Sequence, residues 1–393
     1  MAPFLFHLLV IAALSTSAFA TAVHDSSLDH RSHSSEGSAA IVERNLATQG
    51  LANTTTRFAK VTRRSVKLSE RATTKAAGQT FYSALVAIGA SYTDNAHARS
   101  SQYSSSLRNY YPYNKWGGRY SNGPVAVEYM VDASVSPALK KSPTTAVKLK
   151  DYAYGGSVVQ NGLTGTSANS PAAKDQIAAY LADLKSGAAA VGNGRVLHYF
   201  NSGINSVAQI WTNAVNAGLS SSAIANAQSY ITQNTVAYAT AIRTINTNNV
   251  VYTTVHGADF LLVGIPPLEI VPTFANQLPK SYSTSQRTKA LSLLKTLSAQ
   301  YNSELKAFAT SLKSEARNGR VFYYDLATLW YSLNSSPKSY GLTASPITTT
   351  CYNSTTGGIC TNPSAYLYFD TLHPVTSIHK LMAEKMNALV LGK

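Results

Sequence analysis

Ser91 follows the apolar run Ala84-Leu85-Val86-Ala87-Ile88-Gly89-Ala90 and precedes Tyr92-Thr93-Asp94-Asn95. A short apolar run of this kind reads as a buried strand. The serine then falls on a strand-to-helix turn, with an exposed hydroxyl at the tip and backbone N–H groups close by, which suits a nucleophile. A serine hydroxyl attacks a carbonyl only when a base removes its proton, and histidine performs that task near neutral pH. Asp370 and His373 stand three residues apart in Asp370-Thr371-Leu372-His373-Pro374. In a turn before a helix, such a carboxylate can orient the imidazole and stabilise its cation. Each feature is commonplace by itself: serines decorate loops throughout this chain, and an Asp-x-x-His turn is more often surface than site.

The elements that must position these groups begin at about Thr80. Strands are expected at Ala84–Gly89, Asp151–Gly156, Arg195–Phe200, Phe260–Gly264 and Val321–Tyr324. Helical spacing is carried by Ile177, Tyr180, Leu181 and Leu184, with Gly187 at the exit. Helices are also expected from Val125, from the Asn201–Asn205 loop to about Ile245, and from Ile378 to Leu389. Leu291, Leu294, Leu297, Tyr301, Leu305, Phe308 and Leu312 form one long core stripe. Strands alternating with helices imply an α/β fold with a central parallel sheet and helices on both faces, a three-layer α/β/α sandwich. Its working loops lie at the carboxyl ends of the strands.

Six short blocks then stand in order. Gly89-Ala90-Ser91-Tyr92-Thr93-Asp94-Asn95 resembles the first block of the GDSL, or SGNH, hydrolases. Gly118-Arg119-Tyr120-Ser121-Asn122-Gly123-Pro124 with Val127-Glu128-Tyr129 is similar to a stretch of their longer secreted members. Tyr152-Ala153-Tyr154-Gly155-Gly156-Ser157, Gly203-Ile204-Asn205, Leu262-Val263-Gly264-Ile265-Pro266-Pro267-Leu268 and the Asp370–Pro374 turn resemble the remaining blocks. The resemblance runs from about residue 81 to the C-terminus. It implies the flavodoxin-like SGNH fold, a Ser91–His373–Asp370 triad, and an oxyanion hole made by the Ser91 and Gly156 N–H groups and the Asn205 amide. It is nearest the secreted fungal carbohydrate esterase family 16, which removes acetyl groups from cell-wall oligosaccharides. Two positions depart from the family pattern. Ala90 and Ser206 stand where the family has aspartate; those carboxylates are neither triad members nor oxyanion donors but are expected to act behind the site, so that their loss weakens activity.

Other titratable residues read as structure. His198 lies inside an apolar strand and reads as a satisfied core residue. His97, His256 and His379 match no block. Asp325 ends a strand, Asp94 is expected to bond its own turn, and Gly155 to serve backbone geometry. No histidine–carboxylate cluster has ligand spacing, so neither metal nor cofactor is expected.

The chain has 393 residues, 45% hydrophobic and 13% charged, with a net charge of +15. The basic residues are scattered and form no nucleic-acid motif. Residues 1–20 carry an apolar stretch ending in Ala18-Phe19-Ala20, as in a secretory signal. Residues 21–75 are rich in Ser, Thr, Ala, His and Arg and read as a disordered or propeptide segment, with Arg63-Arg64 a possible processing point. The hydrolase domain is assigned to 76–393. No other apolar run could cross a membrane. Cys351 and Cys360 are expected to pair in an oxidising compartment, and Asn53, Asn334 and Asn353 head glycosylation triplets. The sum predicts a secreted, extracellular, monomeric serine esterase acting on small or acetylated oligosaccharide esters. A lipase or phospholipase of the same superfamily, and a non-catalytic glycan-binding relative, are the alternatives.

Overall fold

The computed structural model describes residues 82–95, 118–139 and 147–393. The expected leader, the 21–75 segment and Asn53 lie outside the described residues.

Five parallel strands form the central sheet: β1 (Tyr82–Gly89), β2 (Lys148–Asp151), β3 (Arg195–Asn201), β4 (Gly257–Val263) and β5 (Val321–Tyr324). Their order is β2-β1-β3-β4-β5. Leu85 pairs with Leu149 and Leu197, His198 with Phe260, and Leu262 with Tyr323. A parallel strand covered on both faces must be apolar throughout, and every residue of β1 except Ser83 is buried.

The chain steps one way from β1 to β2 and the other way from β2 through β3, β4 and β5. Right-handed crossovers therefore put the connecting helices on opposite faces. α1 (Ala126–Val131) packs against the C-terminal α9 (Thr376–Leu391) on one face. α2 (Ala173–Ser186), α3 (Ile204–Asn216), α4 (Ser221–Thr247), the short α5 (Asn249–Thr254) and α6 (Pro272–Gln277), and α7 (Thr284–Glu315) lie along the connections of the other. α8 (Leu326–Ser335) follows β5. The α7 stripe is core as expected, with Leu294, Leu297, Tyr301, Leu305 and Leu312 essentially inaccessible. Ser283 and Gln286 make a capping box at its start, and Gly187 ends α2 in the left-handed region.

Three expectations change in detail. The second strand is Lys148–Asp151, not Asp151–Gly156. Residues 152–156 leave the sheet as a loop, although Tyr152 N and Tyr154 N still donate to Ala87 O and Gly89 O. The long helical stretch after β3 divides at Gly218, which takes a positive φ, into α3 and α4. The last helix runs from Thr376 to Leu391, two residues beyond the expected span at each end.

His198 is fully buried: its Nε2 meets the Tyr180 hydroxyl at 2.9 Å and its Nδ1 the Asp259 carbonyl at 3.2 Å. Because a carbonyl can only accept, Nδ1 carries the proton. Asp259 itself is buried at the amino ends of the strands, held by Tyr82, Arg195 and Arg320. Asp325 caps α8 by accepting from Thr328 N. His198 and Asp325 serve structure, as their sequence positions suggested.

Cys351 and Cys360 form a disulfide across the hairpin β6 (Tyr352–Asn353) and β7 (Gly358–Ile359). Asn353 is exposed in that hairpin. Asn334 sits in the last turn of α8, its amide donating to Trp330 O. No helix among the described residues is long and apolar enough to cross a membrane.

Candidate active site

With the order β2-β1-β3-β4-β5, the connections diverge between β1 and β3, and a crevice opens at the carboxyl ends of those strands. Ser91 leaves β1 there, Asn205 follows β3, and the Gly155–Gly156 loop follows β2. The turn after β1 closes with Thr93 N and Asp94 N donating to Ala90 O, both at 2.9 Å. It presents Ser91 at the crevice, though the residue is only 7% exposed rather than open at the tip.

The remote Asp370–Pro374 turn meets Ser91. Ser91 Oγ lies 2.8 Å from His373 Nε2. His373 Nδ1 lies 2.8 Å from Asp370 Oδ2 and 3.0 Å from Oδ1. An ionised carboxylate only accepts, so Nδ1 donates to Asp370 and Nε2 is left to accept from the serine hydroxyl. Asp370 Oδ1 also accepts from Leu372 N and His373 N, which fixes the carboxylate within its own turn.

The block from Gly118 to Tyr129 holds this turn from outside. Ser121 Oγ donates to Pro374 O, and Asn122 Oδ1 accepts from Thr376 N at the start of α9. Arg119 pairs with Glu128, whose carboxylate also accepts from Val125 N. The Tyr120 ring lies 5.1 Å from the His373 ring.

The Gly155–Gly156 loop is tied to the nucleophile turn. Asp94 Oδ2 accepts from Gly155 N at 2.8 Å, and Asp151 Oδ2 accepts from Asn95 N at 3.0 Å. Asp94 was expected to bond its own turn; its carboxylate reaches across to the second loop. A side chain at residue 155 would run into Tyr120, so the position needs glycine. Gly156 takes φ +76 and faces open space. The Gly155 N–H is occupied by Asp94, whereas the Ser91 and Gly156 N–H groups have no hydrogen-bond partner among the described residues. Asn205 Nδ2 donates one hydrogen to Ser157 O at 2.9 Å, and an amide carries a second.

The two departures from the family pattern differ. Ser206 Oγ, fully buried, accepts from Val159 N at 3.0 Å, so it holds the two loops together as an acceptor. Ala90 has no such atom. The peptide before it is held from elsewhere: Gln176 Oε1 accepts from Gly89 N at 2.9 Å. Gln176 Nε2 in turn reaches Gly89 O, Ser157 Oγ and Pro171 O, each at 3.0 Å. Sequence reasoning missed Gln176. Its signal was a polar residue beside Ile177, on the apolar face of α2.

Beside Gly155 and Gly156 lies a cleft of about 280 Å3 whose other walls are Ser167, Ala168, Asn169, Ser170 and Gln209. Ser91 does not line it; Gly156 is the link. Gln209 clamps Ser167 through both its N–H and carbonyl, and Asn161 accepts from Ala168 N and donates to Ser170 O. Tyr152 and Tyr154 do not contribute: they are 5% and 1% exposed. Trp116 lies outside the described residues. Among the described residues no three His, Cys, Asp or Glu side chains are grouped to hold a metal.

The chain matches the model of the GDSL-like lipases and acylhydrolases over residues 85–386. A GDSL esterase/lipase from Arabidopsis thaliana is 23% identical over 122 residues, which is 29% of this chain and 33% of the plant protein. The match therefore spans a third of that relative's length. An extracellular lipase from Streptomyces rimosus, known from its crystal structure, aligns with 78% of this chain and 95% of its own at 17% identity, with a TM-score of 0.33. The family match includes Ser91, the Gly155–Gly156 loop, Asn205 and the Asp370–His373 turn, and the chain belongs to the GDSL-like lipase/acylhydrolase family of ester-hydrolysing enzymes.

Proposed function

We propose that this protein is a secreted serine esterase that removes short acyl groups, acetyl above all, from carbohydrate esters. The observation that carries the enzyme reading is the continuous relay from Ser91 Oγ through His373 to Asp370. In this reading His373 takes the Ser91 proton as the oxygen attacks the ester carbonyl. The Ser91 and Gly156 N–H groups and the Asn205 amide stabilise the oxyanion. His373 then protonates the leaving alcohol, and an acyl group remains on Ser91. Water, deprotonated by His373, releases it. Asp370 keeps the imidazole in the required tautomer and stabilises its cation.

The uncharged cleft beside Gly156 supports the substrate side of the proposal. It is lined by hydroxyls, amides and backbone and carries no charged side chain. At about 280 Å3 it falls below the roughly 300–1,000 Å3 that takes a drug-sized ligand. A sugar hydroxyl finds hydrogen-bond partners on such a wall, and an alkyl chain does not. Esters of longer acids remain the second reading, because the family and the plant relative are named for lipases as well as esterases. The signal-like N-terminus supports secretion, and N-terminal sequencing of protein recovered from culture medium tests it.

The functional test compares p-nitrophenyl acetate, p-nitrophenyl octanoate and acetylated xylo-oligosaccharides, with Ser91→Ala as control. Acetate is expected to outrun octanoate, and sugar acetates to be consumed. Faster octanoate turnover moves the assignment to lipase, and full activity in Ser91→Ala discards the mechanism.

A further inference from the structure

Ser91 and His373 are 282 residues apart in the chain, so some contact must set the distance between their two turns. The residues next to them do so directly. The Tyr92 hydroxyl donates to the Leu372 carbonyl at 2.7 Å. Tyr92 follows the nucleophile, and Leu372 precedes the base. The N–H of that same peptide, on His373, is already held by Asp370, so the tyrosine meets a peptide fixed from its other side.

The Tyr92 ring is 1% exposed and leaves the hydroxyl little freedom. It lies 5.9 Å from the His373 ring, 6.1 Å from His379 and 6.1 Å from Trp330. His379 accepts from Ala126 N on α1, and Trp330 is buried in α8. The ring is therefore wedged between α8 and the segment from His373 to His379. A wedge with a hydrogen bond at its tip fixes both separation and angle.

We propose that Tyr92 is a positioning residue, a strut that holds the Ser91 hydroxyl and the His373 ring at reacting distance. The proposal rests on the reading of Ser91 as nucleophile and His373 as base. It goes beyond that reading by assigning the geometry of the pair to a residue that need not touch substrate. Proton transfer and attack depend steeply on placement, and a shift of about 1 Å can cost on the order of a hundredfold in rate.

Tyr92→Phe is the test, because it keeps the ring and removes only the hydroxyl. On p-nitrophenyl acetate we expect kcat to fall by about tenfold with KM within about twofold. The pre-steady-state rate of Ser91 acylation should fall in parallel. Rates are taken per active site titrated with a fluorophosphonate, so a loss of folded protein does not imitate the effect. Tyr92→Leu, which removes the wedge as well, should lose more kcat than Tyr92→Phe. If Tyr92 only fills the core, Tyr92→Phe retains wild-type kcat per titrated site, and the strut is overturned while the esterase reading stands. If Ser91→Ala keeps full activity, the esterase mechanism itself fails and the strut falls with it.

Discussion

Asp94 Oδ2 accepts the N–H of Gly155 at 2.8 Å, joining the turn that carries Ser91 to the loop that carries Gly156. One carboxylate thereby relates the proposed attacking atom to a proposed oxyanion donor. It also decides between two neighbouring glycines, because the Gly155 N–H is consumed and the Gly156 N–H is not. Asp94→Ala should leave Gly155 N unpaired and let the loop drift. The expected cost is on the order of tenfold to a hundredfold in kcat, with KM little changed. Asp94→Asn keeps an acceptor oxygen and should recover most of that loss. Steady-state kinetics on p-nitrophenyl acetate make the comparison, and equal activity in all three proteins would remove the role.

The disulfide lies just upstream of the acid–base turn. Cys351 N donates to Tyr368 O, Tyr352 N to Phe369 O, and Phe369 N to His373 O. The cross-linked hairpin thus continues by backbone hydrogen bonds into the Asp370–His373 turn. With a sequence separation of 9, the chain-entropy model assigns the link about 2–3 kcal/mol. Cys351→Ser with Cys360→Ser should lower the melting temperature by several degrees, with a smaller loss of kcat. Calorimetry with and without reductant checks this: wild type should shift on reduction and the double variant should not.

Much of the site was legible because its parts sit at strand ends. An apolar run predicts where β1 stops, and the sheet order then places Ser91 and Asn205 at one crevice. The Asp370–His373 pair was legible as a turn and gained meaning only from the other blocks. What the sequence hid were cross-chain hydrogen bonds made by ordinary residues. Gln176 sits on the core face of α2, where nothing local reveals that its amide will clamp Gly89. Asp94 looked like a turn former, because its partner Gly155 lies 61 positions away. Ser206 looked like a lost acid, yet its hydroxyl accepts from Val159 N. Tyr152 and Tyr154 stand in a block that borders the site, yet they pack inward. Burial of an aromatic side chain depends on the loop's path, and that path follows the tie to β1 rather than any pattern in residues 152–156.

Two buried histidines set an acid limit on stability. Burial lowers the pKa of His198 from 6.5 to about 4, partly opposed by its bond to the Asp259 carbonyl. Burial, with the nearby His373, lowers His379 from 6.5 to about 3. Between those values and 6.5 the unfolded chain holds protons that the folded one refuses, so stability falls as pH drops through that window. Well above 6.5 neither residue contributes a slope. At pH 5.5 each site should cost about 1 kcal/mol relative to neutral pH. Thermal melts from pH 8 to 4.5 should be flat at first and then decline. His379→Gln keeps an acceptor for Ala126 N and removes one titrating group, so its decline should be shallower. A variant curve parallel to wild type would show that His379 binds its proton equally in the folded and unfolded chain, so that burial does not shift it.

Asn205 is the last side chain whose geometry makes a quantitative demand. Its Nδ2 donates to Ser157 O at 2.9 Å, which leaves one amide hydrogen for an oxyanion and fixes the direction in which it points. The same peptide region is gripped by Gln176 at Ser157 Oγ and by Ser206 at Val159 N. Such a donor does not reorganise when charge develops, and losing one typically costs about 10²–10³ in kcat. Asn205→Ala should show that loss with little change in KM, since a ground-state carbonyl gains less from the donor than the oxyanion does. Asn205→Asp replaces the donor with an acceptor and should be at least as severe. Ser91 should still be labelled by a fluorophosphonate in both variants, only more slowly, because the Ser91–His373 pair does not depend on Asn205. If Asn205→Ala instead raised KM with kcat unchanged, the amide would bind ground-state substrate, and the oxyanion would have to be held by the Ser91 and Gly156 N–H groups alone.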